Sequence, residues 1–253
     1  MSEGPLLTPD WPLPPGVRAV TSIRTGAGAS RAPWDRFNLG DHVGDDPAIV
    51  AANRRELQAM LAEAQPRWLS QVHGTTVAVL DDLPADGQPP VADAAVVRER
   101  HTACALLTAD CLPVLLCDTS GAVVGAAHAG WRGLASGVLE ATVEAMGVSP
   151  SQLTAWLGPC ISRDAFEVGP EVRAAFAADD SQGAADAFRP GEGDRWYADL
   201  PLLAERRLLR LGLDPHAIYR SRGCTYGEHG RFYSYRRDGT CGRMASLIWR
   251  TTA

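Results

Sequence analysis

Three residues near the middle of the sequence's length or before it carry side chains suited to a metal or nucleophile site: His73, Cys111 and His128. Each stands where an apolar run gives way to a small or turn-forming residue. His73 follows WLSQV and precedes Gly74, Cys111 interrupts LLTADCLPVLLCD, and His128 ends AVVGAAH before AGWRG. Two imidazoles and a thiolate suit zinc, with a fourth position left for water or substrate. A zinc so placed acidifies a bound water and polarises an attacking or leaving oxygen. The same trio also suits a thiolate nucleophile with a histidine base. The gaps of 38 and 17 residues match no compact zinc-finger spacing, so three elements must converge in space. Without that convergence, Cys111 is a small core residue and the two histidines are hydrogen-bonded strand ends.

The neighbours of the trio are open to two readings each. Asp110 either orients a ligand histidine or caps its own turn, and the turn is favoured. In HAGWRGL, a helix starting after Gly130 offers free N–H groups, and Arg132 adds charge, which together suit a phosphate or carboxylate. Alternatively, Gly130 and Gly133 only permit tight packing. The tail RFYSYRRDGTCGR is able to stack a flat base and hold an anion, but an edge strand with a polar outer face is favoured.

The elements that must position these groups follow from periodicity. Residues 1–16 are proline-rich and expected as an extended arm, ahead of a single domain over 17–253. VRAVTSIR alternates as a strand, and the Gly/Asp/Asn-rich segment to Pro47 is a long loop. Helical spacing begins at Pro47 and runs to residue 63. Strands are expected at RWLSQV, TTVAVL, DAAVVR, ACALLT, LPVLLCD and AVVGAAH. One helix is expected over WRGLASGVLEATVEAMG, then a strand at LTAWLG and helices at GPEVRAAFAA and DLPLLAERRLLRLG. AIYRS and RMASLIW close the chain as strands. The polar 179–195 stretch is expected to be disordered. There is no internal repeat, and the pattern fits an α+β or layered α/β fold.

Composition excludes several functions. Hydrophobic residues are 45% of 253, enough for a substantial core in one large domain. No run approaches the roughly 20 apolar residues of a membrane span. The start lacks a basic, then apolar leader, so a cytoplasmic protein with free thiols is expected. A net charge of −6 argues against nucleic acid as a partner. All 24 basic residues are arginine, which rules out a Schiff-base lysine, a P-loop ATPase and a lysine general base. Any bound anion is left to arginine, histidine, backbone N–H or metal.

Taken together, NLGDHVGDDP, NRREL, WLSQVHGTTV, LLTADCLPVLL, AAHAGWRGL, GPCISRDAFEVGPEV and FYSYRRDGTCGRMASLIW resemble the laccase-domain (YfiH-type) family from about residue 17 to 250. The resemblance implies a layered α/β/β/α fold and a zinc on His73, Cys111 and His128. It implies phosphorolysis of adenosine, inosine, guanosine and methylthioadenosine, with adenosine deamination. Purine nucleosides and phosphate are then the partners, and Asn38, Gln71, Arg132 and Arg236 are candidates to contact them. Monomer and homodimer both stay open. Where the family has R-x-G-G-x-S this chain reads RTGAGAS, so no substrate role is carried over to Arg24. Cys241 replaces a frequent threonine, a change expected to be harmless.

Six histidines are too few for a multicopper oxidase, and none of the four methionines is close in sequence to serve a single copper site. Zinc is therefore preferred to copper. For deamination a carboxylate proton shuttle is needed, with Asp110 and Glu167 as candidates. The rival reading is a hydrolase with Cys111 as nucleophile, acting on an amide such as a peptidoglycan precursor, a process the family is also linked to. A thiolate locked on zinc is a poor covalent nucleophile, so metal content separates the two. A binding protein without turnover is the third class.

Overall fold

The computed structural model describes residues 4–61, 63–84, 86–177 and 185–252. The first half contains β1 (Leu6–Leu7), β2 (Val17–Ser22), α1 (Pro47–Met60), β3 (Gln65–Arg67), β4 (Val77–Val79), β5 (Ala94–Val97), β6 (Thr102–Thr108) and β7 (Leu112–Asp118). Then follow β8 (Val124–Ala129), α2 (Trp131–Ser136), α3 (Val138–Met146), β9 (Leu153–Leu157), β10 (Glu167–Val168) and α4 (Pro170–Ala177). The chain ends with β11 (Phe188–Pro190), β12 (Trp196–Ala198), α5 (Leu200–Leu211), β13 (Ile218–Arg220), α6 (Tyr235–Asp238) and β14 (Met244–Arg250).

Two sheets stack face to face, in the orders β1-β2-β14-β6-β3 and β13-β9-β7-β8-β5-β4, with a small third sheet β10-β12-β11. The strand side chains alternate between the layers. On β6, Cys104 and Leu106 join Leu115, Cys117, Val124, Ala126 and Ile248 in the core between the sheets. Ala103, Ala105 and Leu107 point the other way, toward Leu57 and Leu61 at the end of α1. On β7, Leu112, Val114 and Leu116 meet Leu134, Val138, Leu139 and Val143 of the helices on the opposite side. This is the α/β/β/α order. Strands covered on both faces must be apolar at successive positions, which is why ACALL and LPVLLC read as continuous runs.

β6 and β7 are consecutive in sequence but lie in different sheets. Ala109, Asp110 and Cys111 make the crossing. The interruption of LLTADCLPVLL is therefore the corner at which the chain changes sheets.

Some elements differ from expectation. The 131–147 helix breaks at Gly137, whose φ of 100° ends α2 and opens α3. The strand foreseen over 67–72 stops at Arg67. Past it, the Gln71 amide donates to Leu107 O (2.9 Å) and accepts from Leu107 N (2.7 Å), so a side chain stands in for the missing strand. The chain has to leave that sheet there, because β4 pairs with β5 in the other one. The tail forms the short helix α6, capped by Ser234 Oγ on Arg237 N, instead of an edge strand. Residues 185–195 are ordered through β11, which pairs with β12; the rest of the 179–195 stretch lies outside the described residues. Trp11 of the arm is 5% exposed, packs between the sheets and donates to Thr154 Oγ1 at 2.8 Å. No helix among the described residues is long and apolar enough to cross a membrane.

Candidate metal centre

The three elements do converge. One donor atom each from His73, Cys111 and His128 lies within 4.8 Å of the others, and Cys111 Sγ is 3.8 Å from His73 Nε2. His128 is buried at the end of β8, Cys111 is half-buried at the sheet crossing, and His73 is exposed on the loop before β4. The two imidazole rings meet edge to face at 4.8 Å. Gly130 makes this approach possible. A Cβ there would stand 2.9 Å from His73 Cδ2 and 3.0 Å from Cys111 Sγ.

A residue absent from the sequence reading organises the group. Asp93, fully buried, accepts the backbone N–H of Val72 (3.0 Å), His73 (2.8 Å) and Gly74 (2.7 Å). Its Oδ1 also lies 2.8 Å from His128 Nδ1. His73 has a left-handed φ of 62°, and three hydrogen bonds to one carboxylate offset the strain of that conformation. With Nδ1–H directed at Asp93, His128 presents Nε2 to the site. Burial pushes the Asp93 carboxyl up, but the His128 and backbone hydrogen bonds prevail and hold it below its ordinary value. The signal was present in the sequence as an acid opening the otherwise apolar DAAVV.

Electrostatics favour the ligand form of the thiol. Burial pushes Cys111 up, but the charge of His128 and hydrogen bonds from both histidines bring it down to about 6. Burial pulls His128 down instead, while Cys111 and Asp93 raise it to about 9. A thiolate, two imidazoles and an outer carboxylate form a donor set that fits a metal ion.

The trio sits in a cavity of about 840 Å³. Gln71, Arg132 and Arg236 line it, although both ends of the Gln71 amide are engaged by Leu107. Arg132 is exposed beside the Trp131 ring. Asn38 is not brought to the cavity. It is fully buried, donates to Gly40 O and Asp45, and accepts from Gly40 N and Arg243 N, so it holds its loop together. Arg24 is likewise held elsewhere, by Asp35 and the His229 carbonyl.

Of the two carboxylates expected as shuttles, Asp110 lines the cavity and Glu167 does not. Asp110 has a φ of 94° and accepts from Thr225 Oγ1 and Arg236 N, both at 2.7 Å. It thus ties the corner to the C-terminal segment; it does not cap its own turn or orient a histidine. Glu167 is exposed and engages Arg236 only through its carbonyl. Besides Asp93, sequence reasoning missed Arg54, Trp68, Trp131 and Arg243 on the cavity wall.

Residues 18–251 match the family model described as multi-copper polyphenol oxidoreductase laccase. The chain belongs to this family. A Pseudomonas aeruginosa member named purine nucleoside phosphorylase is 50% identical over 96% of this chain and 97% of its own length. Purine nucleoside phosphorylase YfiH of Escherichia coli is 48% identical, covering 96% and 98%. Among solved structures, a Neisseria meningitidis protein of family model DUF152 superposes with a TM-score of 0.93 at 46% identity, covering 98% of this chain and all of its own. YlmD of Geobacillus stearothermophilus gives 0.90 at 30% identity.

The several coppers in the family's description are not matched by the donors found among the described residues of this member. A multicopper oxidase needs several histidine clusters. Among the described residues, His73, Cys111 and His128 form the one group of three or more His, Cys, Asp or Glu able to hold a metal. A blue-copper centre adds a weak axial ligand, most often a methionine, to two histidines and a cysteine, and none of Met60, Met146 and Met244 lines the cavity.

Proposed function

We propose that this protein is a zinc-dependent purine nucleoside phosphorylase acting on adenosine, inosine, guanosine and methylthioadenosine, with adenosine deamination as a second activity. The observation that carries this reading is the convergence of His73, Cys111 and His128 in an arginine- and aromatic-lined cavity. Relatives named purine nucleoside phosphorylase support it along nearly the whole chain. A zinc ion held by the trio supplies a Lewis-acid centre next to the bound reactants.

The chain's own residues supply binding and orientation. Asp93 fixes the His128 tautomer and the His73 loop. Arg132 and Arg236 offer guanidinium groups to phosphate, a geometry matched to its oxygens. Trp131 and Phe166 offer apolar rings to a purine. The phosphate so held faces the ribose anomeric carbon, and its proton passes to the departing purine, so phosphorolysis needs no carboxylate shuttle.

A second reading has one observation in its favour. Asp93, His128 and Cys111 stand in the order acid, base, thiol of a cysteine hydrolase, with the base oriented by the acid at 2.8 Å. Its substrate would be an amide of the peptidoglycan-precursor kind.

The deciding experiment is purine release from inosine by purified protein of known zinc content, with and without phosphate, beside Cys111→Ala. Phosphate-dependent release that disappears in the variant supports zinc-assisted phosphorolysis. No release from zinc-loaded protein overturns it and turns attention to amides.

A further inference from the structure

Four arginines line the cavity, and each lies over an aromatic ring that lines it too. Arg54 lies over Trp68 at 4.3 Å, Arg132 over Trp131 at 4.5 Å, Arg236 over Phe166 at 5.4 Å and Arg243 over Tyr235 at 6.0 Å. The carboxylates on the wall are Asp41 and Asp110. Asp41 pairs with Arg54 at 3.2 Å, and Asp110 is engaged by Thr225 and the Arg236 backbone. Arg132, Arg236 and Arg243 have no carboxylate partner for their guanidinium groups among the described residues. In a chain of net charge −6, this places a positive, partly apolar cleft where an anionic flat ligand is attracted.

The four arginines hang from two frames. Arg54 Nε donates to Leu39 O at 2.9 Å, and Leu39 N donates to Arg243 O at 3.2 Å, so one loop residue anchors both. Gly40 makes room for the second of them, since a Cβ there would stand 2.7 Å from Arg243 Cγ. The other frame lies on the helical side of the six-stranded sheet. Arg132 is on α2, and Arg236 Nη1 donates to Glu167 O of β10 at 2.7 Å. A free phosphate and an uncharged nucleoside bring one anion. The two frames offer places for two.

We propose that the wall of Arg54, Trp68, Arg243 and Tyr235 is a second anion subsite, which takes a phosphoryl group carried by the nucleoside. The substrate class then extends to purine nucleoside 5′-monophosphates. This rests on phosphorolysis at the same cavity, and the bonds balance in the same way. The C1′–N9 bond breaks, a C1′–O bond to inorganic phosphate forms, and the proton of hydrogen phosphate goes to the purine. The products are the free base and a ribose bisphosphate, with the original phosphoryl ester untouched. A cavity of about 840 Å³ is at the upper end of the small-molecule range, with room for a nucleotide beside a free phosphate.

The test has a binding arm and a turnover arm. Inosine and inosine 5′-monophosphate are titrated into the zinc-loaded full chain without inorganic phosphate. The monophosphate should bind at least about tenfold tighter, as bonds to charged groups predict. Arg54→Gln and Arg243→Gln, each with its melting temperature checked, should both reduce that ratio. The ratio of kcat/KM for the two substrates should fall in parallel. Equal binding of the two ligands, or a ratio that survives both substitutions, overturns the subsite. If neither compound releases purine, the phosphorylase reading falls while the binding ratio still decides the subsite.

Discussion

His128 Nδ1 lies 2.8 Å from Asp93 Oδ1, the same oxygen that accepts the backbone N–H of His73. One buried carboxylate thereby sets the ring of one candidate ligand and the loop of another. Asp93→Asn should retain the fold but confuse both contacts, because an amide offers a donor where two acceptors are needed. Loss of such an outer partner lowers metal affinity about 10–100-fold. Competition with a chromophoric chelator would measure the drop directly. An unchanged affinity would show that Asp93 is only structural.

Gly130 has φ −61° and ψ 155°, a conformation open to any residue, so its substitution tests sterics alone. In Gly130→Ala the new methyl meets the His73 ring and the Cys111 sulfur, and His73, exposed, is the group able to yield. Metal–ligand distances tolerate about 0.2 Å, so zinc retention should fall at least tenfold, with little change in unfolding by denaturant. Equal loss of both would mean that the packing, not the metal geometry, was disturbed.

Much of this site was legible because chemistry-bearing residues interrupt apolar runs. His73, Cys111 and His128 stood out against strands whose covered faces left no reason for polarity. What links them was harder to read. Asp93 opens a strand with no partner in its own segment, and its hydrogen bonds reach residues 72–74 and 128. The alternation of ACALL and LPVLLC between two cores explains the four layers only once both sheets are known. Gln71 filling a sheet position beside Leu107, and the Gly137 break, depend on where neighbouring strands run. Arg54 and Arg243 lie 189 positions apart, yet both are fastened to Leu39, a relationship that spacing does not encode.

Acid should weaken the turn between β7 and β8. Burial pushes the Asp118 carboxyl up, but hydrogen bonds from the Ser120 hydroxyl and from the Val123 and Ser120 amides bring it below its ordinary 3.8. A depressed folded value means that the stabilisation is full above 3.8 and fades as pH falls through that lower value. Asp118→Asn should therefore cost about 1–3 kcal/mol at pH 7, and the gap from wild type should close as pH drops below 3.8. Urea unfolding at pH 7, 5 and 3 would check this, and a pH-independent gap would refute the assignment.

The segment from Leu6 to Trp11 should be required for stability, because Trp11 fills space between the two sheets. Its ring is 5% exposed, and its indole N–H meets Thr154 Oγ1 at 2.8 Å, the hydroxyl that itself donates to Ala217 O. Leu6 and Leu7 add an outer strand on β2, pairing with Ser22 and Thr21. Trp11→Ala leaves a cavity and an unpartnered hydroxyl lone pair, a loss of about 3–5 kcal/mol. Trp11→Phe keeps most of the volume but not the hydrogen bond, so it should cost only about 1 kcal/mol. Chemical denaturation of the two variants separates packing from bonding. If Trp11→Ala unfolds at the wild-type midpoint, the segment is a dispensable arm after all.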